Sequence, residues 1–277
     1  MIERLQIMDF GLKDKIVLIT GTNNPQGIGA TTALAFANEG VRLALIYKKI
    51  PHKYDESKTG TDGVDRYFKA NSGDMTEVEE QLNALKADYL VLESDISNER
   101  CIKDIFDCVI ERFGKVDILV NNAAAADDGD NDTIETITQS VIDETFAVNV
   151  RGTLLMTSEF VKRRCDYGRI INFSTDAAQA FPGQQITYAA SKAAIEAFTR
   201  SIAIGVGKYG ITVNCIAPGP TQTGWIDKEL ANAVLPQIPL GRLIHPQDIA
   251  KTIVFLASER AAMVTGQVIK VSGGHAL

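Results

Sequence analysis

The stretch KIVLITGTNNPQGIGATTALAFANEGVRLALIY, residues 15–47, holds a strand, a glycine-rich turn, a helix and a second strand in succession. Lys15–Thr20 is a short apolar run, which is typical of a strand that is covered on both faces. Gly27–Glu39 carries apolar residues at helical spacing, and Val41–Tyr47 is a second apolar run. Because a strand, a helix and a parallel strand form one βαβ unit, this stretch predicts an α/β fold.

The rest of the chain repeats this alternation. Further strands are predicted at 89–93, 116–121, 169–174, 211–216 and 267–271. Helices are predicted at 75–87, 98–113, 138–165, 185–208 and 246–259. The pattern predicts a doubly wound parallel sheet of about seven strands with helices on both faces, in a single domain spanning residues 1–277. We interpret the polar segment Lys48–Gly73 as an extended loop, because the alternation resumes after it.

Composition narrows the class of protein. The 277 residues are 45% hydrophobic and 23% charged, with 28 basic and 35 acidic side chains and a net charge of −7, which disfavours nucleic acid as a partner. Four cysteines without a CxxC pair and three scattered histidines predict reduced thiols and no metal site.

The N-terminus lacks the apolar core of a signal peptide, and the longest uncharged run, Tyr209–Ile226, contains proline and glycine. We therefore expect a cytoplasmic protein without a membrane helix.

Glycines follow the first predicted strand. Gly21 ends that strand, and Gly27, Ile28 and Gly29 open the next helix. Glycine lets the backbone turn sharply and lets a pyrophosphate approach the free N–H groups of the helix. Glycine pairs before helices are also common without a nucleotide, so it is the strand–turn–helix context that favours a dinucleotide site.

The end of the second strand bears on the choice of cofactor. An acid there suits the ribose of NAD, whereas basic residues suit the 2′-phosphate of NADP. Tyr47, Lys48 and Lys49 occupy this position, and no acid lies between Val41 and Pro51. The sequence therefore favours NADP(H) over NAD(H), the alternative being that both lysines are simply solvated.

A tyrosine and a lysine share one helix face further along the chain. Tyr188 and Lys192 are four residues apart, and Thr175 lies thirteen residues before Tyr188, directly after a predicted strand. Alone, a tyrosine and a lysine at this spacing usually lie on the surface of a helix and have no catalytic function. Here it occurs together with the motifs DIS at Asp95, NNAA at Asn121, NVRG at Asn149 and PGPTQT at Pro218.

In this order the motifs resemble the short-chain dehydrogenase/reductase family over residues 12–274, and most of all its 3-oxoacyl-carrier-protein reductases. The resemblance implies a Rossmann-type fold and NADP(H)-dependent reduction of a ketone to a secondary alcohol. It also implies a homodimer or homotetramer built on helices 138–165 and 185–208, and a substrate lid at 220–245.

The resemblance implies a role for each matched residue. Tyr188 would be the general acid, and Lys192 would hold the nicotinamide ribose and lower the pKa of Tyr188. Thr175 would polarise the carbonyl, and Asn149 would anchor a water that links Lys192 to solvent. The remaining cofactor contacts that it implies are Asp95, Ile96, Asn122, Ala123, Ala124, Pro218, Gly219, Thr221 and Thr223.

The glycine-rich turn departs from the usual family pattern. Five residues, Thr22 to Gln26, separate its first two glycines instead of three, as in the divergent enoyl reductases of the same superfamily. Those enzymes place six residues between tyrosine and lysine, but the residue at that position here is Ile195. The spacing therefore favours carbonyl chemistry, and we expect the extra residues from Asn23 onward to help hold the adenosine phosphate.

Two choices stay open from sequence. Ser174 adjoins Thr175, but neighbouring strand residues face opposite sides, and the spacing to Tyr188 favours Thr175. The basic run Lys162–Arg164 could meet an acidic carrier protein or could simply suit a helix C-terminus. Rival functions are an NAD-linked dehydrogenase of a sugar, steroid or other small secondary alcohol, and an inactive cofactor-binding regulator. The sequence does not name the substrate.

Overall fold

Seven parallel strands form the centre of the molecule in a computed structural model that describes residues 9–126, 132–176, 178 and 185–276. The first eight residues of the expected domain lie outside this range. The strands are β1 (Ile16–Thr20), β2 (Arg42–Tyr47), β3 (Asp88–Glu93), β4 (Ile118–Asn121), β5 (Gly168–Phe173), β6 (Ile211–Pro218) and β7 (Val268–Val271). All seven coincide with predicted strands to within two residues at either end.

The strand order is β3-β2-β1-β4-β5-β6-β7. β1 pairs with β2 on one side, where Thr20 lies opposite Ile46, and with β4 on the other, where Val17 lies opposite Ile118. The order therefore reverses direction at β1. In such sheets the carboxyl ends of the strands on either side of the reversal diverge and leave a crevice for a ligand.

Helices cover both faces of the sheet. They are α1 (Ile28–Asn38), α2 (Val64–Ser72), α3 (Thr76–Ala84), α4 (Glu99–Phe113), α5 (Gln139–Phe146), α6 (Thr153–Lys162), α7 (Ile186–Val206), α8 (Lys228–Val234) and α9 (Pro246–Ala257). Successive side chains of β1 enter different cores: Val17 and Ile19 pack with Phe36 of α1, whereas Ile16 and Leu18 pack with Phe106 of α4. No helix in the described ranges has the length and apolar character needed to cross a bilayer.

The structure differs from the sequence expectation in two places. The segment 48–73 is not simply an extended loop, because it contains a short 3₁₀ turn at Glu56–Lys58 and then α2. No residue of α2 is fully buried, and none belongs to the hydrophobic core, so burial pattern alone does not mark this helix. The helix expected at 138–165 is interrupted by a π-helical segment, Ala147–Gly152, that separates α5 from α6.

Candidate active site

Close backbone approach explains the glycines after β1. The Asn122 side chain donates to the carbonyl oxygens of Thr20 and Gly21, at 2.9 and 2.8 Å, and so holds the turn against β4. A Cβ atom on Gly29 would lie 2.2 Å from the Gly21 oxygen, so that any side chain there displaces the turn. Gly21 itself has a φ of +74° and faces the Ala123 backbone. Two sequence motifs, TG…GIG and NNAA, therefore form one structural unit.

The N-terminus of α1 fits a pyrophosphate. Gly27 is the N-cap residue and makes no side-chain capping bond, and the first turn holds no acid. The Gly27 N–H donates to the Asn24 oxygen at 2.8 Å, so it is the N–H groups of the first turn of α1, with the helix dipole, that suit an anion at the carboxyl end of β1. The residues expected to hold a dinucleotide there, Gly21, Gly27, Ile28 and Gly29, fit that group.

The extra residues of the turn have structural partners of their own. Asn23 is buried, and its Nδ2 donates to the carbonyl oxygens of Asn71 and Gly73, at 3.0 and 3.1 Å. The Asn24 side chain donates to the Thr223 oxygen at 3.1 Å. The side chains expected at an adenosine phosphate thus connect the turn to the segment after β2 and to the loop after β6.

The lysines expected to lie near the adenosine of a cofactor have acidic neighbours. Lys48 Nζ lies 2.6 Å from Asp95 Oδ2, and Lys49 Nζ lies 3.9 Å from Glu93 Oε2. The Tyr47 hydroxyl donates to Glu93 at 3.2 Å. Burial acts to raise the pKa of Asp95, but hydrogen bonds from Lys48 and Ser97 outweigh it, and the pKa is lowered. Both lysines expected at a 2′-phosphate are therefore paired with acids from the end of β3 and the loop after it.

The DIS motif packs against the π-helical segment. Ile96 is buried, and a Cβ atom on Gly152 would lie 2.9 Å from its carbonyl oxygen. Arg151 donates to the Ser97 oxygen at 3.2 Å. The glycine and arginine of NVRG therefore fix the loop that follows β3, beside the expected adenine position.

Tyr188 and Lys192 lie one turn apart on α7, and Lys192 Nζ is 5.4 Å from the centre of the Tyr188 ring. Lys192 is 2% exposed, and its ammonium donates to the Phe173 carbonyl oxygen at the end of β5, at 3.1 Å. Burial lowers the pKa of Lys192 to about 8. It raises the pKa of Tyr188 above its ordinary value, and an ionised Tyr67 adds to that increase.

The directions of these two pKa changes bear on the acid–base role expected of Tyr188. Sequence reasoning required a lowered pKa for Tyr188, whereas burial keeps this phenol protonated. A protonated phenol is the form that donates a proton to a carbonyl oxygen. A phenolate formed at Tyr188 would be stabilised by a positive charge near the ring, and Lys192 Nζ lies 5.4 Å from the ring centre.

The Asn149 carboxamide is fully engaged in the fold. Its Oδ1 accepts from the Ala125 N–H at 2.7 Å, and its Nδ2 donates to the Ala125 oxygen and to Ser191 Oγ, at 2.8 and 2.9 Å. The Ser191 hydroxyl in turn donates to the Tyr188 carbonyl at 2.7 Å. Asn149 therefore joins the loop after β4 to the helix that carries Tyr188 and Lys192.

The adjacent hydroxyls after β5 have different surroundings. Ser174 is buried, and its hydroxyl contacts Glu196 Oε1 at 2.8 Å and the Lys192 carbonyl oxygen at 3.3 Å. Thr175 is partly exposed. The side chain of Ser174 is thus directed into α7, so Thr175 stays the hydroxyl that is predicted to meet the substrate.

The PGPTQT motif turns the chain out of β6 and into the segment expected to form a substrate lid. The Gly219 N–H donates to the Val271 oxygen at 3.1 Å, and Thr221 Oγ1 donates to the Gly219 oxygen at 2.8 Å. Pro218 ends β6, and Thr223 is adjacent to the glycine-rich turn through Asn24. These residues therefore lie at the same edge of the sheet as Tyr188.

One buried acid at the site was missed by sequence reasoning. Asp132 is 2% exposed, and its carboxylate accepts from the N–H groups of Thr187 and Tyr188 at distances from 2.8 to 3.2 Å. It caps α7 from 55 residues away, whereas the local N-cap residue, Gln185, makes no capping bond. No local motif could have revealed this contact.

Comparisons with known proteins show which family this chain is similar to. The family model described as enoyl-(acyl carrier protein) reductase matches residues 58–276. A 3-oxoacyl-[acyl-carrier-protein] reductase of Synechocystis sp. is 31% identical, covering 95% of this chain and 97% of the relative. The (2S)-[(R)-hydroxy(phenyl)methyl]succinyl-CoA dehydrogenase subunit BbsD of Thauera aromatica is 32% identical, covering 96% and 98%.

Solved structures extend the similarity to three dimensions. A short-chain dehydrogenase/reductase from Serratia marcescens superposes with a TM-score of 0.80 at 26% identity, covering 96% of this chain and 99% of that one. The fold, the order of motifs and the curated relatives agree. The chain belongs to the short-chain dehydrogenase/reductase family of NAD(P)-dependent oxidoreductases.

Proposed function

We propose that this chain reduces a ketone, either 3-oxoacyl-like or another carbonyl compound, to a secondary alcohol with NADP(H), using Tyr188 as the general acid. The observation that carries the proposal is the placement of Tyr188 and Lys192 on one face of α7, with Nζ 5.4 Å from the ring centre. Both lie at the carboxyl edge of the sheet, where this fold binds its ligands.

Each side chain has a task that its surroundings support. The cofactor, when bound, supplies the hydride and the positive charge of its oxidised ring. Tyr188 holds a proton, because burial raises its pKa, and donates that proton to the carbonyl oxygen. Thr175 donates a hydrogen bond to the same oxygen, and Lys192 stabilises the phenolate that Tyr188 becomes. Asn149 fixes the position of α7 through Ser191.

The description of the matching family model raises a second candidate, reduction of a C=C bond. The four-residue spacing of Tyr188 and Lys192 supports carbonyl chemistry instead. A third candidate is oxidation of a secondary alcohol with NAD, and the name of the Thauera relative is that of a dehydrogenase. The same residues serve both directions, since the proton that Tyr188 donates in reduction it accepts in oxidation.

We propose that the basic run Lys162–Arg164 serves the C-terminal end of α6 and is not a carrier-protein contact, because its members pair with neighbouring side chains of the fold. Arg163 pairs with Asp107 and Glu159, and Lys162 Nζ lies 3.5 Å from Glu159. The Arg164 guanidinium lies 3.9 Å from the centre of the Tyr209 ring. An acidic partner would have to displace these contacts.

A panel of ketones, enoyl thioesters and secondary alcohols tests the proposed reaction. Each compound is mixed with NADPH, NADH or the oxidised forms, and the absorbance of the reduced nicotinamide is followed. We expect consumption of NADPH with ketones and none with enoyl thioesters. Activity confined to alcohols and NAD would favour the dehydrogenase alternative, and cofactor binding without turnover would favour a regulator.

Exposed lysines support the NADP(H) preference. The side chains of Lys48 and Lys49 are 54% and 45% exposed, and exposed ion pairs contribute only about 0–1 kcal/mol. A 2′-phosphate with two negative charges can therefore displace Asp95 and Glu93 from them. Because those pairs must first break, the preference should be smaller than for unpaired lysines.

Replacing both lysines should abolish that preference. We expect wild-type protein to bind NADPH about tenfold more tightly than NADH, and Lys48→Ala/Lys49→Ala to bind the two equally through loss of NADPH affinity. Fluorescence titration with each cofactor measures the dissociation constants. Lys53→Ala, which removes an exposed charge from the same segment, is the control. Tighter binding of NADH by the wild type would refute the preference.

We propose that α6 and α7 pair with a second copy of the chain, as the family resemblance implies. Leu154 is 36% exposed and lines an apolar groove with Val161, Ile202 and Val206. We expect a dimer or tetramer in sedimentation velocity, and a shift to monomer in Leu154→Arg, because a charge in an apolar interface is costly. Met263→Arg, at a residue that is 96% exposed, is the control. A wild-type monomer would contradict the assignment.

A further inference from the structure

The chain after β7, residues 272–276, packs closely at the carboxyl edge of the sheet. The Leu240 N–H donates to the Gly273 oxygen at 3.0 Å. Gly273 has a φ of +63°, and a Cβ atom there would lie 2.8 Å from Ile238 Cγ2. Because a larger residue would be strained and would clash, glycine is required at this position. The segment 272–276 is therefore fixed against the part of the chain that was expected to form the lid.

A tight turn in this segment brings a histidine back to the end of β5. The Ser272 hydroxyl donates to the His275 oxygen at 3.1 Å, and the His275 N–H donates to the Ser272 oxygen at 3.2 Å. The ring Nδ1 of His275 lies 2.8 Å from Oδ2 of Asp176, the residue that follows Thr175. Because an ionised carboxylate only accepts hydrogen bonds, Nδ1 is the donor in this contact.

The contact between Asp176 and His275 is shielded from solvent. Their side chains are 3% and 18% exposed. A Cβ atom on Gly219 would lie 2.9 Å from Asp176 Oδ2 and 2.9 Å from Ser272 Cα. A side chain in place of this glycine would therefore push the carboxylate and the segment after β7 apart.

Both neighbours of Thr175 are held by buried side-chain contacts, and the two contacts come from different elements. The N–H groups of Ser174 and Asp176 donate to carbonyl oxygens of β6 at 2.8 and 2.9 Å. The Ser174 hydroxyl contacts Glu196 of α7, whereas the Asp176 carboxylate accepts from His275. The backbone that carries Thr175 is thus fixed on one side by α7 and on the other by the segment after β7.

We propose that His275 is a positioning residue that acts through Asp176 to direct the Thr175 hydroxyl at the substrate carbonyl. Without the His275 N–H, the buried Asp176 carboxylate loses a donor and turns towards water, which moves Thr175 with it. A displacement of about 1 Å near the reacting atoms can cost about 10²-fold in rate. The inference rests on the proposed carbonyl reduction, and it adds a residue that lies outside the resemblance over residues 12–274.

Two substitutions of His275 test this role. In His275→Ala we expect kcat to fall about tenfold, with the KM for the ketone and the dissociation constant of NADPH within about twofold of wild type. His275→Asn keeps an N–H donor near the position of Nδ1 and should restore kcat to within about threefold of wild type. Steady-state kinetics with NADPH and ethyl acetoacetate, or the ketone of the panel above that the wild type reduces fastest, measures both.

A double variant separates positioning from general damage to the structure. In Thr175→Ala the hydroxyl that His275 positions is absent, so adding His275→Ala should lower kcat by less than about twofold further. A merely structural role would lower kcat by the same factor with and without Thr175, because independent effects add in free energy. Single-turnover rates of the four proteins measure this difference.

Lys270→Ala is the matched control, because Lys270 Nζ donates to the Ala276 oxygen of the same segment. It should keep wild-type kcat. Unchanged kcat in His275→Ala would overturn the assignment, as would a tenfold loss in Lys270→Ala or the same tenfold loss in the Thr175→Ala background. A wild type that reduces no ketone would instead overturn the proposed function, and the assignment with it.

Discussion

Tyr188→Phe should reduce turnover of the true carbonyl substrate by about 10²–10⁴-fold, while the protein folds and binds cofactor normally. Phenylalanine keeps the ring, which the Lys192 ammonium approaches to 5.4 Å, but removes the only proton that the side chain can donate. The reaction would then have to take its proton from water. Steady-state kcat and a fluorescence titration with NADPH separate the two effects.

The control for this variant is Tyr209→Phe, at a tyrosine that is 38% exposed on the far end of α7 and packs against Arg164. It should keep wild-type kcat. Near-complete activity of Tyr188→Phe, with the same substrate and pH, would mean that another group supplies the proton. The general-acid assignment would then be wrong.

Thr175→Ala should lower kcat by about 10²–10³-fold, the usual cost of removing one hydrogen-bond donor to a developing oxyanion. Ser174→Ala should leave kcat within about threefold, because the Ser174 hydroxyl contacts Glu196 and the Lys192 carbonyl oxygen. It should instead lower the free energy of unfolding by about 1–3 kcal/mol, since the 5% exposed Glu196 loses a hydrogen-bond donor. Steady-state kinetics of both variants measures the change in kcat, and urea unfolding measures the change in the free energy of unfolding.

Thr175→Ser is the conservative variant and should restore most of the activity, because it keeps the hydroxyl. The opposite pattern, with kcat lost in Ser174→Ala and retained in Thr175→Ala, would transfer the carbonyl contact to Ser174. It would also imply that the Ser174 side chain turns away from Glu196 when substrate binds.

The sheet was predictable because its strands are nearly continuous runs of valine, isoleucine and leucine. Ile16–Thr20 and Arg42–Tyr47 are covered by helices on both faces, and only such runs suit that position. The helix α2 was not predictable by the same criterion, because its position depends on hydrogen bonds that Asn23 donates to its C-terminal end and that Gly63 donates to the Gly224 oxygen, rather than on buried side chains. The π-helical break at Ala147–Gly152 was hidden because its residues are compatible with an ordinary helix.

The same distinction between local sequence patterns and contacts of distant segments applies to the candidate site. Residues joined by a local motif, such as Gly27 and Gly29 or Tyr188 and Lys192, were found from spacing. Contacts between distant segments were not found. Asp132 contacts the start of α7 from a loop 55 residues earlier in the chain. Asp95 contacts Lys48 from the loop after β3, so a search for acids confined to β2 could not detect the contact between Asp95 and Lys48.

The most direct test of the central claim is a single-turnover experiment with NADPH deuterated at its transferable position. The protein is mixed in parallel with a 3-oxoacyl thioester and with the enoyl thioester of the same chain length, and each product is analysed by mass spectrometry. The account predicts a 3-hydroxyacyl product with one deuterium on its carbinol carbon, and unchanged enoyl thioester. A saturated, deuterated acyl product from the enoyl thioester, with the 3-oxoacyl compound untouched, would contradict it.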